Sequence, residues 1–294
     1  MVTTHESTVE MDMEQTIKIV TDSGGDLPSQ LLQEFDIEVV PLTVHSGTEV
    51  YRDGDLTAEE FWAMASGPHH PQTSQPSVGA YEEVFERLVA LGKRVLCLTI
   101  TSKHSGTFNV AHLAAQRFGE AVTVFDSLSL SLGQGAQAVA AAEAARAGRS
   151  MSEILALLED LRARMRLLIV LDTLENLRRG GRAHGFIAVA DRMARALNIK
   201  VIINLEEGQL RLLGAARSFK SALARMLNTI EQLGPLNHLA VVHTRNQQTA
   251  EQVAEQLAQR TGFPPQRIWL RETGAALSTH AGPGVIGVMA VPSG

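Results

Sequence analysis

Val95-Leu96-Cys97-Leu98-Thr99-Ile100, followed at once by Thr101-Ser102-Lys103-His104-Ser105, is the stretch from which the fold is read. A short apolar run that gives way to a hydroxyl-rich segment predicts a buried strand entering a loop. The pattern continues with a helix over 106–118 and a strand over 122–125. It also occurs upstream, where Ile17-Lys18-Ile19-Val20 runs into Thr21-Asp22-Ser23-Gly24-Gly25-Asp26. Pro28 there suits the first turn of a helix reaching Phe35, and a second strand is expected over 37–44. Strands alternating with helices imply crossover connections and a mostly parallel sheet.

Working outward, Thr57 with Glu60 and Ser150 with Glu153 have capping-box spacing, and Ser77 caps a helix over 78–90. A turn is expected at 51–55 and a loop over 66–77. An alanine-rich helix covers 135–147 and a long helix 151–166. The second half reads as strand 167–171, a short helix ending at Gly180-Gly181, a helix over 186–197, and strands 199–204 and 209–213. The turn Glu206-Glu207-Gly208 between those strands demands antiparallel pairing. Helices 218–232 and 247–260 and strands 239–243, 268–270 and 285–291 complete a mixed sheet. The expectation is therefore an α/β chain of two domains, 16–160 and 161–294, behind an acidic disordered tail, 1–15.

The 294 residues are 45% hydrophobic and 20% charged, ordinary globular values for one or two domains. A net charge of −6 gives no basic field for nucleic acid, and aromatics at 4% leave little for base stacking. No stretch approaches a membrane span, and Glu6, Glu10, Asp12 and Glu14 are unlike a secretory leader. The single cysteine, Cys97, excludes an intramolecular disulfide and reads as a buried thiol. A cytoplasmic protein is expected.

Loops after parallel strands share one sheet edge, where ligands bind. Thr21-Asp22-Ser23, the 101–107 loop and Asp126-Ser127 should meet there, with Thr73-Ser74-Gln75-Pro76-Ser77 able to join them. Hydroxyls beside helix N-termini favour an anion, and with Lys103 as the one nearby cation a single carboxylate fits better than a polyphosphate. Helix capping accounts for Ser77 and Ser105 equally well. Asp22, Asp26, Asp53 and Asp55 have carboxylates suited to a metal, but turn and capping roles explain them as readily. Gly133-Gln134-Gly135-Ala136-Gln137-Ala138 is a loose dinucleotide pattern too far from its strand, so close packing is the plainer reading. The neighbours His104 and Ser105 have no identifiable assisting group for nucleophilic catalysis. Arg178, Arg179, Arg182, Arg211, Arg217 and Lys200 form two basic clusters able to read phosphate or carboxylate, although for Arg178 and Arg179 a solvated role complementing the helix C-terminus is the plainer reading. Ser278-Thr279-His280-Ala281-Gly282-Pro283-Gly284 places one histidine in a turn before the last strand. His45, His69, His70, His184 and His243 have no ligand-like partners at useful spacing.

Taken in order, Thr21-Asp22-Ser23, Asp26-Leu27-Pro28, Asp53-Gly54, Thr73-Ser74-Gln75-Pro76-Ser77, Ser105-Gly106-Thr107, Asp126-Ser127, Gly180-Gly181-Arg182, Leu197-Asn198-Ile199-Lys200 and His280-Ala281-Gly282-Pro283-Gly284 resemble the DegV family over about residues 16–292. The resemblance implies two α/β domains enclosing a lipid tunnel, with no catalytic turnover and no cofactor. It implies one long-chain fatty acid, its carboxyl group held by Thr73 and Ser105, with Ser74 and Gly106 adjoining and His280 in the same polar network. It further implies presentation of that carboxyl group to a separate fatty acid kinase for acyl-phosphate formation, with Arg182 and Arg217 near the exit where phosphate and kinase dock. Departures include Ser23-Gly24-Gly25-Asp26, Ala281 and Val201, none of which removes a proposed carboxyl ligand. A phosphotransferase or hydrolase at the same cleft, and a lipid-sensing regulatory module, are the alternative readings.

Overall fold

The computed structural model describes residues 16–182 and 199–293. The expected tail 1–15, the helix expected over 186–197 and His184 lie outside the described residues. The first half runs Ile17–Asp22 (β1), Ser29–Glu34 (α1), Glu38–Val40 (β2), Thr43–Ser46 (β3), Glu49–Arg52 (β4), Ala58–Ala65 (α2), Gln72–Ser74 (β5), Val78–Ala90 (α3), Arg94–Thr99 (β6), Thr107–Ala115 (α4), Val122–Asp126 (β7), Leu132–Arg146 (α5) and Met151–Arg164 (α6). Strands β2-β1-β6-β7 form a four-stranded parallel sheet.

Side-chain alternation along β6 sends Leu96 and Leu98 to α5 and α6, and Val95 and Cys97 to α3 and α4. Both faces are thus covered, which is why the strand reads as one uninterrupted apolar run. Burial pushes the Cys97 thiol well above its ordinary value. Both capping boxes form, and Ser77 Oγ accepts from Ala80 N at 3.1 Å. The glycines of 133–138 serve close packing. A Cβ on Gly135 would lie 2.6 Å from Gly25 O, so α5 sits directly against the first loop.

The strand expected over 37–44 is two strands in different sheets. Pro41 has no N–H for a ladder, and Leu42 N donates instead to Ser23 Oγ at 3.0 Å. β3 turns away into a small antiparallel sheet ordered β4-β3-β5. That sheet includes Gln72–Ser74, expected as loop, and Glu49–Arg52, partly expected as turn.

The second half continues with Arg166–Leu171 (β8), Glu175–Arg179 (α7), Lys200–Glu206 (β9), Gln209–Ala216 (β10), Phe219–Glu231 (α8), Leu236–His243 (β11), Gln247–Thr261 (α9), Trp269–Glu272 (β12), Ala275–Ala281 (α10) and Ile286–Pro292 (β13). Its six strands order as β10-β9-β8-β13-β11-β12, antiparallel except for β11 with β12. Of the turn expected over 278–284, residues 278–281 are the end of α10, closed by Gly282 at φ +73°, and Pro283 and Gly284 form the turn before β13. His280 therefore belongs to a helix, whose position is set by its partners at both ends. Among the described residues, no helix is long and apolar enough to cross a membrane.

Alternation along β8 divides the six-stranded sheet into two apolar faces. Leu168 and Val170, with Ile202, Val241, Ile286 and Val288, pack beneath α8 and α9. Leu167, Ile169 and Leu171, with Ile203, lie on the other face, where Leu167 shares a cluster with Leu132 and Ala136 of α5 and Leu161 of α6, Leu171 and Ile203 share one with Leu177 of α7, and all four line a cavity.

Candidate functional site

Where that second face meets the carboxyl edge of the parallel sheet, a cavity opens with an empty volume of about 1060 Å³, its mouth included. Leu167, Ile169, Leu171, Ile203, Leu210, Val242 and Val285 line it from the mixed sheet. Leu42, Ile100, His104, Ser105, Leu130 and Ser131 come from the loops after the parallel strands, the crevice where ligands bind in such sheets. Thr73, Ser74 and Gln75 enter from the small sheet, and Ala276, Leu277, His280 and Ala281 from α10. The lining is mainly hydrocarbon, and its polar residues include Thr73, Ser105, Arg182 and His280 as well as Ser131, His243, Thr244 and Thr273.

Thr73 Oγ1 lies 2.7 Å from His280 Nε2. Burial first, then the positive charge of Arg182 and repulsion from the protonated forms of His70 and His104, lower His280 to about 4, so its ring is neutral near pH 7. Its Nδ1 is buried with no hydrogen-bond partner among the described residues. Orphaned buried N–H groups are rarer than orphaned acceptors, which favours the tautomer with the proton on Nε2, donating to Thr73. That leaves the Thr73 hydroxyl hydrogen free for a ligand. Gly180 sets the ring position, because a Cβ there would lie 2.2 Å from His280 Nδ1.

Ser105 Oγ is 2.7 Å from Thr107 Oγ1 and accepts from Thr107 N at 3.3 Å. Gly106, not Ser105, occupies the cap position of α4, and a Cβ on it would crowd the Gln75 amide at 3.2 Å. Ser74 Oγ pairs with His45 Nε2 at 2.9 Å. Arg182 is half-buried, lines the cavity and donates to Gly180 O at 2.7 Å; burial lowers its guanidinium below the ordinary value. The structure thus brings Thr73, Ser74, Ser105, Arg182 and His280 to one cavity, with Gly106 beside it. Arg217 is exposed just past β10 and does not line that cavity.

The aspartates of the first loops hold the site from behind. Asp22 accepts from Gly24 N, Ile100 N and Gln134 Nε2 at 2.9, 2.7 and 3.1 Å. Asp26 accepts from Gly274 N at 2.8 Å and Ser131 Oγ at 2.5 Å. Asp53 accepts from Ala276 N at 3.1 Å and Ser23 Oγ at 2.7 Å. Asp26 and Asp53 therefore grip the N-terminus of α10, the helix that carries His280, across more than 220 residues of chain. Burial raises Asp22 to about 6 and Asp26 to about 7, against the lowering effect of their donors, and raises Asp53 as well. Among the described residues, no group of three or more histidines, cysteines or acids is arranged to hold a metal ion.

Sequence reasoning found the hydroxyl loops but not the partnership of Gly180 with His280, nor the use of Asp26 and Asp53 as caps for α10. Nor did it find the latch between the β9–β10 turn and the 101–104 loop. There Thr101 Oγ1 donates to Gly208 O at 3.1 Å and Leu210 N to His104 Nε2 at 3.3 Å. Gly208, at φ +78°, was the available signal: a Cβ on it would lie 2.3 Å from Thr101 Oγ1.

The sequence model described as "Uncharacterised protein, DegV family" matches residues 16–293. A DegV domain-containing protein of Listeria monocytogenes is 36% identical over 280 residues, covering 93% of this chain and 98% of the relative. Among solved structures, a DegV family protein from Thermus thermophilus, described for its fatty acid binding, superimposes with a TM-score of 0.87 at 32% identity. The match covers 95% of this chain and all of that one (100%). A stearic acid-binding protein from Eubacterium ventriosum matches with a TM-score of 0.82 at 27% identity, over 94% of this chain and 98% of that one.

Proposed function

The chain belongs to the DegV family, and from that premise we propose that it binds one long-chain fatty acid in the cavity and presents the carboxyl group to a separate fatty acid kinase. The observation that carries the reading is a mainly hydrocarbon-walled cavity whose lining also holds the Thr73–His280 pair, Ser105 and Arg182. A chain of about 16 carbons gains about 0.8 kcal/mol per buried methylene, or about 12 kcal/mol gross. Association and ordering costs offset a large part of this. The tail therefore supplies the affinity and the polar end supplies orientation, since a buried carboxylate without donors is costly.

In this reading Thr73 and Ser105 donate to the carboxylate, with Ser74 and Gly106 adjoining. His280 turns the Thr73 hydroxyl outward, and Arg182 adds positive charge at the same end. Arg217, exposed beyond β10, suits contact with the phosphate or the kinase more than contact with the acid. The chain itself holds and orients, while the kinase supplies ATP chemistry and acyl phosphate is the product. The Thermus thermophilus and Eubacterium ventriosum proteins, described as binding fatty acids, support the ligand class. The single cysteine, a buried thiol, suits a reducing compartment, and the proposal places the chain in the cytoplasm.

Denaturing extraction of the purified protein, followed by mass spectrometry, should release one saturated or unsaturated long-chain acid per chain. The same protein supplied with ATP alone should form no ADP. Recovery of no acid together with no uptake of added palmitate would refute the binding reading. ATP turnover by this chain, lost when Ser105 or His280 is replaced, would refute the non-catalytic one.

A further inference from the structure

We propose that His104 is an additional head-group ligand, donating from Nδ1 to the carboxylate and making the site select ionised acids over neutral lipids of the same length. This rests on the fatty-acid reading above and extends it to a residue which that reading leaves unused. His104 lines the cavity directly before Ser105, in company with Thr73, Arg182 and His280.

The argument is one of proton placement. Leu210 N lies 3.3 Å from His104 Nε2. A backbone N–H only donates, so Nε2 must be the unprotonated nitrogen. Burial first, and then the charge of Arg182, lower the His104 pKa and favour the neutral ring. A neutral ring bare at Nε2 carries its proton on Nδ1. Among the described residues Nδ1 makes no hydrogen bond, so the ring brings one uncommitted donor to the cavity wall.

The loop that presents this ring is held at two points. Thr101 Oγ1 donates to Gly208 O, and Leu210 N holds the imidazole. The β9–β10 turn therefore fixes the tautomer and the loop together. An ionised carboxylate accepts from several donors at once, and the cavity brings Thr73, Ser105, His104 and Arg182 within one lining. A methyl ester or an alcohol of equal length keeps the tail contacts but loses the charged acceptor.

The test uses the full chain with 15N-labelled histidine, palmitate and methyl palmitate. Long-range 1H–15N spectra should show His104 protonated at Nδ1, and that resonance should move on adding palmitate but not methyl palmitate. His104→Leu should bind palmitate at least about tenfold more weakly, the worth of a hydrogen bond to a charged group, with methyl palmitate binding unchanged. His104→Asn, whose amide nitrogen falls near the Nδ1 position, should recover most of the loss. An Nε2-protonated ring, an unmoved Nδ1 resonance on palmitate binding, unchanged palmitate affinity in His104→Leu, or equal weakening for both ligands would each overturn the proposal. Wild-type protein that binds neither ligand would instead overturn the fatty-acid reading beneath it.

Discussion

Replacing Thr73 by valine separates what the hydroxyl does for the ligand from what it does for the protein. Valine keeps the β-branched shape and suits the β5 position opposite Val44, so the strand itself should persist. Two interactions are lost. The first is the hydroxyl donation to the carboxylate, worth about 1.5–3 kcal/mol for a charged acceptor, or about 10- to 150-fold in Kd. The second is the 2.7 Å contact with His280 Nε2, which strands the ring N–H in both free and bound protein. Because Thr73 is only half-buried, that second loss should sit near the low end of the range for an unpaired donor, about 1 kcal/mol of stability. Displacement titrations with palmitate and methyl palmitate give the first quantity, and urea unfolding of the lipid-free protein gives the second. Palmitate should weaken by at least about tenfold, methyl palmitate far less. A variant that loses stability but binds palmitate as wild type does would show that Thr73 only supports His280. The carboxyl-binding geometry would then be wrong.

Gly180→Ala is permitted by its backbone, at φ −73°, so its effect should come from a Cβ 2.2 Å from His280 Nδ1. Palmitate affinity should fall by about tenfold, the worth of one displaced hydrogen bond, with circular dichroism unchanged; wild-type affinity would refute the packing argument. Asp26 is raised by burial from 3.8 to about 7 in the folded chain, so over that interval the folded state holds a proton that the unfolded state has lost. Its contribution to stability is therefore full below about 4 and falls as pH rises towards 7. Urea midpoints of Asp26→Asn should fall less steeply between about pH 4 and 7 than those of wild type, keeping only the share from the likewise raised Asp22 and Asp53, and parallel pH profiles for wild type and variant would refute it.

The parallel sheet was legible because its strands, covered on both faces, read as short apolar runs between hydroxyl loops. The capping boxes at Thr57 and Ser150 were legible for a local reason, since their donors and acceptors lie three residues apart. The same property hid the cavity. Leu167-Leu168-Ile169-Val170-Leu171 is apolar throughout, and nothing in its composition distinguishes the helix-covered face from the face that lines the empty space. Gln72-Thr73-Ser74 carries no alternation, so the polar strand that brings Thr73 to the site looked like loop. His280 was recognisable only through its family motif, because its partners Thr73 and Gly180 are set by tertiary contact rather than spacing.

The contacts that form the site also join the two halves of the chain. α10 belongs to the second half, yet both carboxylates at its N-terminus, Asp26 and Asp53, come from the first. At its other end His280 meets Thr73 of the first half and packs over Gly180 of the second. The 101–104 loop is latched in the opposite sense, with first-half hydroxyl and imidazole groups bound to the second-half turn at Gly208 and Leu210. A shift of one half against the other would therefore move His280 and His104 relative to Thr73 and Ser105. The donors proposed to meet one carboxylate keep a common geometry only while the contacts between the two halves hold. By linkage, a ligand that binds this arrangement and not a separated one must stabilise the contact between the halves as well as the fold of each.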